Sequence, residues 1–183
     1  MNAARAVFLD KDGTLVEDLP YNVDPERIVL ARGAREGVAL LADHGYRLIV
    51  ISNQPGVALG RFEESKLEAV AHRLRELLPG LSGFYYCPHA AESGCACRKP
   101  GYALLERAAS EAALRLDASW MVGDILDDVE AGRRAGCRTV LVDNGNETQW
   151  RLSAARLPDC VAGDLRQAAE CIVEMERGAR VEG

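Results

Sequence analysis

Short apolar runs alternate along the chain with segments of helical periodicity, and this alternation restricts the fold more than any other feature. Apolar runs without polar alternation are typical of parallel strands buried on both faces, and helical segments supply the crossovers between such strands. The pattern predicts six strands, at Ala6–Asp10, Arg47–Asn53, Phe84–Cys87, Trp120–Gly123, Thr139–Val142 and Cys160–Ala162. We therefore expect an α/β fold in three layers, Rossmann-like, with a central parallel sheet.

The same periodicity predicts five helices, at Arg35–His44, Glu63–Leu78, Tyr102–Arg115, Asp127–Ala135 and Leu165–Arg177. A chain of 183 residues has the size of one ordinary domain. Neither an internal repeat nor a low-complexity linker divides it. We expect residues 1–183 to form a single domain.

Charge and composition exclude several classes of protein. The chain has 22 basic and 28 acidic residues, which are interleaved, and a net charge of −6. Because no basic stripe is present, nucleic-acid binding is disfavoured. Apolar stretches are too short for a membrane span and no secretory signal precedes them, so we expect a cytoplasmic protein. Its six cysteines are then expected as thiols or metal ligands, with Cys137, Cys160 and Cys171 as small core residues.

Two carboxylates, Asp10 and Asp12, directly follow the first predicted strand and precede Gly13. Ligands of open α/β sheets bind beyond the carboxyl ends of the strands. Taken alone, the pair fits a solvated turn as well as it fits a site. Three later segments, each after or near a predicted strand, supply the other parts of a phosphoryl-transfer site. They are Ser52-Asn53-Gln54, Arg98-Lys99 and Asp124 with Asp127 and Asp128.

A pattern of potential metal ligands, C-x-H-x5-C-x-C, directly precedes Arg98-Lys99. Its members are Cys87, His89, Cys95 and Cys97. Three thiols and one imidazole at this spacing suit a closed, structural zinc site, whereas buried free thiols or a C-x-C disulfide are the alternatives. Because Arg98 and Lys99 follow the last ligand at once, zinc would fix the segment that carries both cations.

Four segments resemble, in order, the four motifs of the haloacid dehalogenase (HAD) superfamily. They are Asp10-x-Asp12-Gly13-Thr14, Ser52-Asn53, Lys99-Pro100 and Gly123-Asp124 with Asp128. The Cys/His loop is similar to that of the zinc-carrying subgroup, which includes phosphatases of heptose 1,7-bisphosphate and of histidinol phosphate. The segments at residues 53–60, 85–89 and 120–124 resemble the heptose enzymes more, although those enzymes usually have Arg at the position of Lys11 and Lys at that of Ile125.

The resemblance implies a Mg²⁺-dependent phosphoric monoester hydrolase that works through an aspartyl-phosphate. The expected substrate is D-glycero-D-manno-heptose 1,7-bisphosphate, at its C7 phosphate. A phosphatase of histidinol phosphate or of another small metabolite is the alternative. A zinc-stabilised module that only binds phosphorylated ligands is less favoured, because a binder needs neither Asp10 nor Asp12 beside the metal ligand Asp124.

The charges of the reaction suggest the catalytic roles. Asp10 is expected to attack phosphorus, because a divalent ion and Lys99 can neutralise both the attacking carboxylate and the phosphate. Asp12 would protonate the leaving oxygen and later activate water. Ser52 would donate to a phosphoryl oxygen. The Mg²⁺ ligands would be the side chains of Asp10 and Asp124 and, as the resemblance implies, the backbone carbonyl of Asp12.

Substrate selection is expected from side chains on loops, because neither long connection is large enough for a cap domain. Asn53 would bind the phosphoryl group, and the guanidinium of Arg98 suits phosphate oxygens. Gln54 and two residues of the first long loop, Asp18 and Tyr21, are further candidates. The expected partner is a small phosphorylated metabolite, and the protein is expected to be a monomer.

Overall fold

A computed structural model describes residues 4–181 and contains one sheet of six parallel strands. The strands are β1 (Ala6–Leu9), β2 (Arg47–Asn53), β3 (Leu81–Cys87), β4 (Trp120–Gly123), β5 (Arg138–Val142) and β6 (Cys160–Ala162). Their order across the sheet is β3-β2-β1-β4-β5-β6. The predicted α/β fold with a parallel sheet is confirmed. Only β3 begins well before its predicted start, because Ser82 and Gly83 interrupt the apolar run.

Five α-helices connect or follow the strands. They are α1 (Ala34–Asp43), α2 (Lys66–Leu77), α3 (Ala103–Ala112), α4 (Leu126–Arg134) and α5 (Leu165–Val181). Helix α2 begins three residues after its predicted start, since residues 63–65 form a turn. Helix α3 ends three residues early, where Ala113 adopts a left-handed conformation with φ 50°. The long connections contain only the short 3-10 helices Pro25–Arg27 and Ala91–Ser93.

Strand side chains alternate between two apolar layers, as pleated strands require. Val7 and Leu9 pack with residues of α1, α2 and α5, whereas Ala6 and Phe8 pack on the opposite face with residues of α3 and α4. Because both faces are covered, the strands read as continuous apolar runs in the sequence. No described helix combines the length and apolar composition needed to cross a bilayer.

The cysteines outside the Cys/His loop correct one expectation. Cys137 is buried, as expected of a small core residue. Cys160, at the start of β6, and Cys171, in α5, instead form a disulfide, so the expectation of two separate reduced core residues is wrong. The pairing depends on α5 folding back beside β6, which residue types alone do not reveal.

The topology directs several polar segments to one edge of the sheet. The order of the strands reverses between β1 and β4, and this switch point is where open α/β sheets bind their ligands. Leu9 of β1 pairs with Val122 of β4. The residues that follow these two strands are therefore neighbours in space, although more than half of the chain separates them.

Candidate active site and metal centres

Three carboxylates converge at the switch point and form what we call the carboxylate cluster, namely Asp10, Asp124 and Asp128. Asp10 follows β1, Asp124 follows β4, and Asp128 lies in the first turn of α4. One oxygen of each lies within 4.8 Å of the others, and all three residues are buried. The backbone N–H of Asp10 donates to the carbonyl of Val122 at 2.9 Å, so hydrogen bonds continuing the sheet fix this convergence.

Lys99 brings positive charge to the carboxylate cluster. Its Nζ lies 2.5 Å from Asp10 Oδ1 and 2.6 Å from Asp128 Oδ1, and it also donates to the carbonyl of Ile51 at 3.0 Å. Asn53 holds the lysine backbone from both sides. Its Oδ1 accepts from the Lys99 N–H at 3.0 Å, and its Nδ2 donates to the Lys99 carbonyl at 3.3 Å. The end of β2 therefore positions the lysine.

The pKa shifts reveal how this cluster balances its charge. Burial raises the pKa of Asp10 to about 6, although Lys99 opposes the shift. Burial, together with Asp10 and Asp128, raises the pKa of Asp124 to about 8. Burial lowers the pKa of Lys99, but the two carboxylates outweigh this effect and raise it above its usual range. The one ammonium group thus pairs with two of the three carboxylates, and oxygen donors with excess negative charge suit Mg²⁺.

Asp12 is held by two donors at the rim of the cluster. Lys11 Nζ donates to Asp12 Oδ1, and Gln54 Nε2 donates to Asp12 Oδ2 at 3.1 Å. Gln54 Nε2 also donates to Ser52 Oγ at 2.8 Å. Burial raises the pKa of Asp12, while Lys11 opposes this shift. The arrangement leaves a partly exposed carboxyl group whose proton affinity depends on its two neighbours.

A cavity of about 370 Å³ opens above these groups. The predicted residues that line it are Asp10, Asp12, Asp18, Tyr21, Asn53, Gln54, Arg98, Lys99 and Asp124. Ser52 does not line it, because its side chain is fully buried beneath Gln54. Ile125 is also part of the wall. The structure therefore brings every predicted catalytic and substrate-binding residue except Ser52 to one surface.

Two cationic groups lie at the margins of this cavity. Arg98 Nη1 is shielded from solvent and has no hydrogen-bond partner within residues 4–181. The Arg61 guanidinium stacks over the ring of Tyr21, 5.5 Å from its centroid. The contact between Arg61 and Tyr21 joins the two loops that carry them, and it fixes the half-exposed ring of Tyr21 at the rim of the cavity.

The Cys/His cluster, formed by Cys87, His89, Cys95 and Cys97, is the second potential metal centre. One ligand atom of each residue lies within 4.8 Å of the others. Cys97 Sγ is 3.1 Å from Cys87 Sγ and 3.2 Å from His89 Nδ1. None of the three cysteines forms a disulfide, so the four groups face a common point. Such a donor set suits tetrahedral zinc.

The structure adds two asparagines that the sequence reasoning missed. Asn146 Nδ2 donates to Asp124 Oδ2 at 2.6 Å, and Asn144 Nδ2 donates to the carbonyl of Gly13 at 2.7 Å. Both follow β5, so the polar run Asp143-Asn144-Gly145-Asn146 is a further polar strand end. Applying the same criterion to this strand could have found them.

Two glycines are required by the close approach of the carboxylates. A Cβ on Gly13 would lie 2.0 Å from Asp124 Oδ2, and the φ of Gly13 is +84°. A Cβ on Gly123 would lie 2.1 Å from Asp128 Oδ2. Any side chain at either position would displace a member of the cluster, which explains why glycine occurs beside both acidic segments.

Comparison with known proteins gives consistent matches along the chain. A family model described as HAD-hydrolase-like matches residues 96–168. The D-glycero-β-D-manno-heptose-1,7-bisphosphate 7-phosphatase of Pseudomonas aeruginosa is 34% identical and covers 92% of this chain and 97% of its own length. The corresponding enzyme of Chlorobaculum tepidum is 35% identical and covers 92% and 94%. The D,D-heptose 1,7-bisphosphate phosphatase from B. bronchiseptica, solved with magnesium and phosphate, superimposes with a TM-score of 0.83 at 29% identity and covers 93% and 99%.

Proposed function

The chain belongs to the heptose-1,7-bisphosphate 7-phosphatase family of HAD-like hydrolases, and from this premise we propose that it removes the C7 phosphate of D-glycero-D-manno-heptose 1,7-bisphosphate. It is a phosphoric monoester hydrolase. The observation that carries the proposal is the convergence of Asp10, Asp12 and Lys99 on one cavity. A carboxylate, an acid and an ammonium group in that arrangement are what transfer of a phosphoryl group to an aspartate needs.

Magnesium fits the carboxylate cluster on chemical grounds. Asp10 and Asp124 would hold the ion through their side chains and Asp12 through its backbone carbonyl. The raised pKa of Asp124 has burial and carboxylate repulsion as its causes, and the charge of a bound cation would offset the effect of both on the carboxylate. When bound, the ion withdraws negative charge from the phosphoryl oxygens. Asp128 remains engaged by Lys99.

The reaction follows from the positions of the chain's own residues. An Asp10 oxygen bonds to phosphorus while the bond from phosphorus to the sugar oxygen breaks, and Asp12 gives its proton to that oxygen. In the second half, Asp12 takes a proton from water, whose oxygen bonds to phosphorus and releases Asp10. Lys99 balances charge in both steps, because it remains bound to the Asp10 carboxyl group.

The phosphate pocket is completed by residues at the end of β2. We assign phosphoryl contact to the Asn53 side chain and substrate selection to that of Gln54, and both side chains line the cavity. Ser52 would act through Gln54, because its hydroxyl accepts a hydrogen bond from that side chain and lies beneath it. Arg98, with its unsatisfied guanidinium nitrogen, would bind an anionic group of the substrate beyond the reacting phosphate.

We also propose that Zn²⁺ occupies the Cys/His cluster and acts as a structural ion. Four ligands leave no open position for substrate. The last ligand, Cys97, directly precedes Arg98 and Lys99, so the ion would fix the segment that delivers both cations.

The loop residues Asp18 and Tyr21 complete the wall of the substrate cavity. Because one chain supplies all these groups, we expect a monomer that acts on a small metabolite. We propose the cytoplasm as its location.

The direct test is a panel of phosphorylated metabolites with released phosphate as the readout. We expect kcat/KM for the heptose 1,7-bisphosphate to exceed that for histidinol phosphate by about 100-fold or more. Analysis of the product by NMR should find the C1 phosphate retained. Preference for histidinol phosphate, or release of the C1 phosphate, would reject the proposed substrate. A protein that binds these compounds without releasing phosphate would reject catalysis.

A further inference from the structure

The segment after β5, residues 143–147, lies against the carboxylate cluster, and we call it the asparagine loop. It contributes no side chain to the catalytic roles described above. Nevertheless Asn146 lines the cavity, and the loop contacts three parts of the site in succession. The reaction steps themselves do not require these contacts.

The innermost contact is the hydrogen bond from Asn146 to Asp124. Asn146 Nδ2 lies 2.6 Å from Asp124 Oδ2, and Thr14 Oγ1 lies 3.5 Å from Asp124 Oδ1. Lys99 forms ion pairs with the other two members of the cluster. Within residues 4–181, no lysine or arginine forms an ion pair with Asp124. The Asn146 amide is therefore the closest donor on a buried carboxylate that lacks a cation.

A second contact fixes Asn146 in turn. The backbone N–H of Asn146 donates to Asn144 Oδ1 at 3.1 Å, and Asn144 Nδ2 donates to the carbonyl of Gly13 at 2.7 Å. Gly13 belongs to the turn that carries Asp10 and Asp12. A continuous chain of hydrogen bonds thus connects that turn, the asparagine loop and the carboxylate that follows β4.

A third contact attaches the loop to α4. Glu147 Oε2 accepts from the backbone N–H of Leu126 at 2.7 Å, at the first turn of this helix. A carboxylate is favourable there because helix N-termini carry partial positive charge. Since α4 also carries Asp128, the loop is anchored on both sides of Asp124, and its position is set by the elements that build the cluster.

From these contacts we propose that Asn146 is a positioning residue, which fixes the orientation of the Asp124 carboxylate for Mg²⁺, and that Asn144 fixes Asn146. The inference rests on the proposed function only in assuming that the ion binds at the carboxylate cluster. Partners behind a metal ligand restrict its rotation, and their removal typically weakens metal affinity by about 10- to 100-fold. Without the amide, Asp124 is free to turn away from its two anionic neighbours.

The test is the Mg²⁺ affinity of Asn146→Ala, measured by calorimetry without substrate. We expect the dissociation constant to rise by about tenfold, while kcat at saturating Mg²⁺ falls by less than about threefold, because the bound ion itself then orients Asp124. Asn144→Ala should shift the affinity in the same direction by a smaller factor. Mg²⁺ should also raise the Tm of both variants less than that of the parent at equal concentration.

Asn22→Ala is the matched control. Asn22 lines the same cavity, but its Nδ2 donates to the carbonyl of Arg27 at 3.3 Å, on the opposite loop. Its removal should leave Mg²⁺ affinity unchanged. Parent-like affinity in Asn146→Ala would overturn the proposal, and if that variant does not fold, parent-like affinity in Asn144→Ala would do the same. Because no substrate is present, these outcomes are independent of which ester the enzyme hydrolyses.

Discussion

The two potential metal centres are built in opposite ways. The Cys/His cluster comes from one segment, residues 87–97, which begins at the end of the edge strand β3. The carboxylate cluster comes from two segments, one at Asp10 and one at residues 124–128, that are distant in sequence and meet only at the sheet's switch point. In both, one ligand atom of each member lies within 4.8 Å of the others. Because the Cys/His cluster lies in one segment, a short spacing pattern suffices to predict it. The carboxylate cluster can be predicted only if the order of the strands in the sheet is known.

The two centres also differ in what holds them without an ion. The carboxylate cluster is buried, two of its members directly follow strands and the third lies in α4, and Lys99 cross-links two of them. Apart from the buried Cys87, which ends β3, the Cys/His cluster lies on a partly exposed loop whose only regular element is the 3-10 helix Ala91–Ser93. We expect the first to keep its shape without metal and the second to lose it.

Asp10→Asn should remove the attacking oxygen without disturbing the fold. An amide of nearly the same shape keeps contact with Lys99 and relieves repulsion from Asp128, so Tm should not fall. Turnover should fall by about 10⁴-fold or more. Phosphate release and thermal unfolding measure the two effects. Asp117→Asn, which changes an exposed aspartate paired with Arg115, is the control, and near-parent turnover in Asp10→Asn would refute the assignment.

Lys99→Met should damage both stability and turnover. The variant leaves Asp10 and Asp128 without their cation, and loss of one partner of a buried ion pair typically costs about 3–5 kcal/mol of unfolding free energy. Denaturant unfolding without metal measures this loss. Lys66→Met changes an exposed lysine at the start of α2 and should be neutral. Equal stability of both variants would mean that the carboxylate cluster does not depend on its lysine.

Cys95→Ser should abolish zinc retention and loosen the loop before Lys99. We expect turnover to fall by about 10- to 100-fold, because the lysine loses its anchored segment, while the sheet remains folded. Elemental analysis and hydrogen exchange over residues 88–101 measure these effects. Cys137→Ala removes a buried thiol outside the cluster and should keep its zinc. Full activity in a zinc-free Cys95→Ser protein would contradict the structural role.

The carboxylate cluster should make the stability of the metal-free protein depend on pH. The pKa of Asp124 is raised to about 8 and that of Asp10 to about 6, so the protonated forms favour the folded state. Their contribution is present below about pH 4 and is lost as pH rises through these values. Mg²⁺ binds the deprotonated carboxylates, so the rise in Tm that it causes should be larger near pH 8 than near pH 5.

If Mg²⁺ raised Tm equally at both pH values, this would count against the raised pKa values of Asp124 and Asp10 in the metal-free protein. Asp124→Asn is the matched variant for this measurement, because it removes the group with the larger shift while Asp10 remains. In that variant both the pH dependence and the response to Mg²⁺ should be reduced. Zinc content should stay constant throughout, since the Cys/His cluster is on a different strand end.

The contrast between the two centres also explains how far the sequence could predict this structure. Strands with a continuous apolar run, such as Leu48–Ile51 in β2 and Trp120–Val122 in β4, have the predicted bounds, because burial on both faces requires that pattern. The residues at strand ends could be predicted to meet, since parallel strands share one carboxyl edge. The direction of each side chain could not be predicted, so the burial of Ser52 beneath Gln54 became evident only in the structure.

Specific contacts between distant segments also could not be predicted from the sequence. The bond from Asn146 to Asp124 depends on how the loop after β5 folds over the cluster, and the Cys160–Cys171 disulfide depends on the packing of α5 beside β6. Neither has a local signature, because asparagine is common in turns for its own hydrogen bonding and two isolated cysteines have no spacing rule. The spacing of residues predicts a site within one segment, whereas a site formed by several segments depends on the topology of the fold.

The central claim is that Asp10 receives the phosphoryl group, and acid-quenched mass spectrometry of the enzyme during turnover tests it most directly. The account predicts that the peptide containing Asp10 gains the mass of one phosphoryl group, and that Asp10→Asn shows no such gain. A phosphoryl group on another residue, or steady turnover with no modified peptide in rapidly quenched samples, would contradict it.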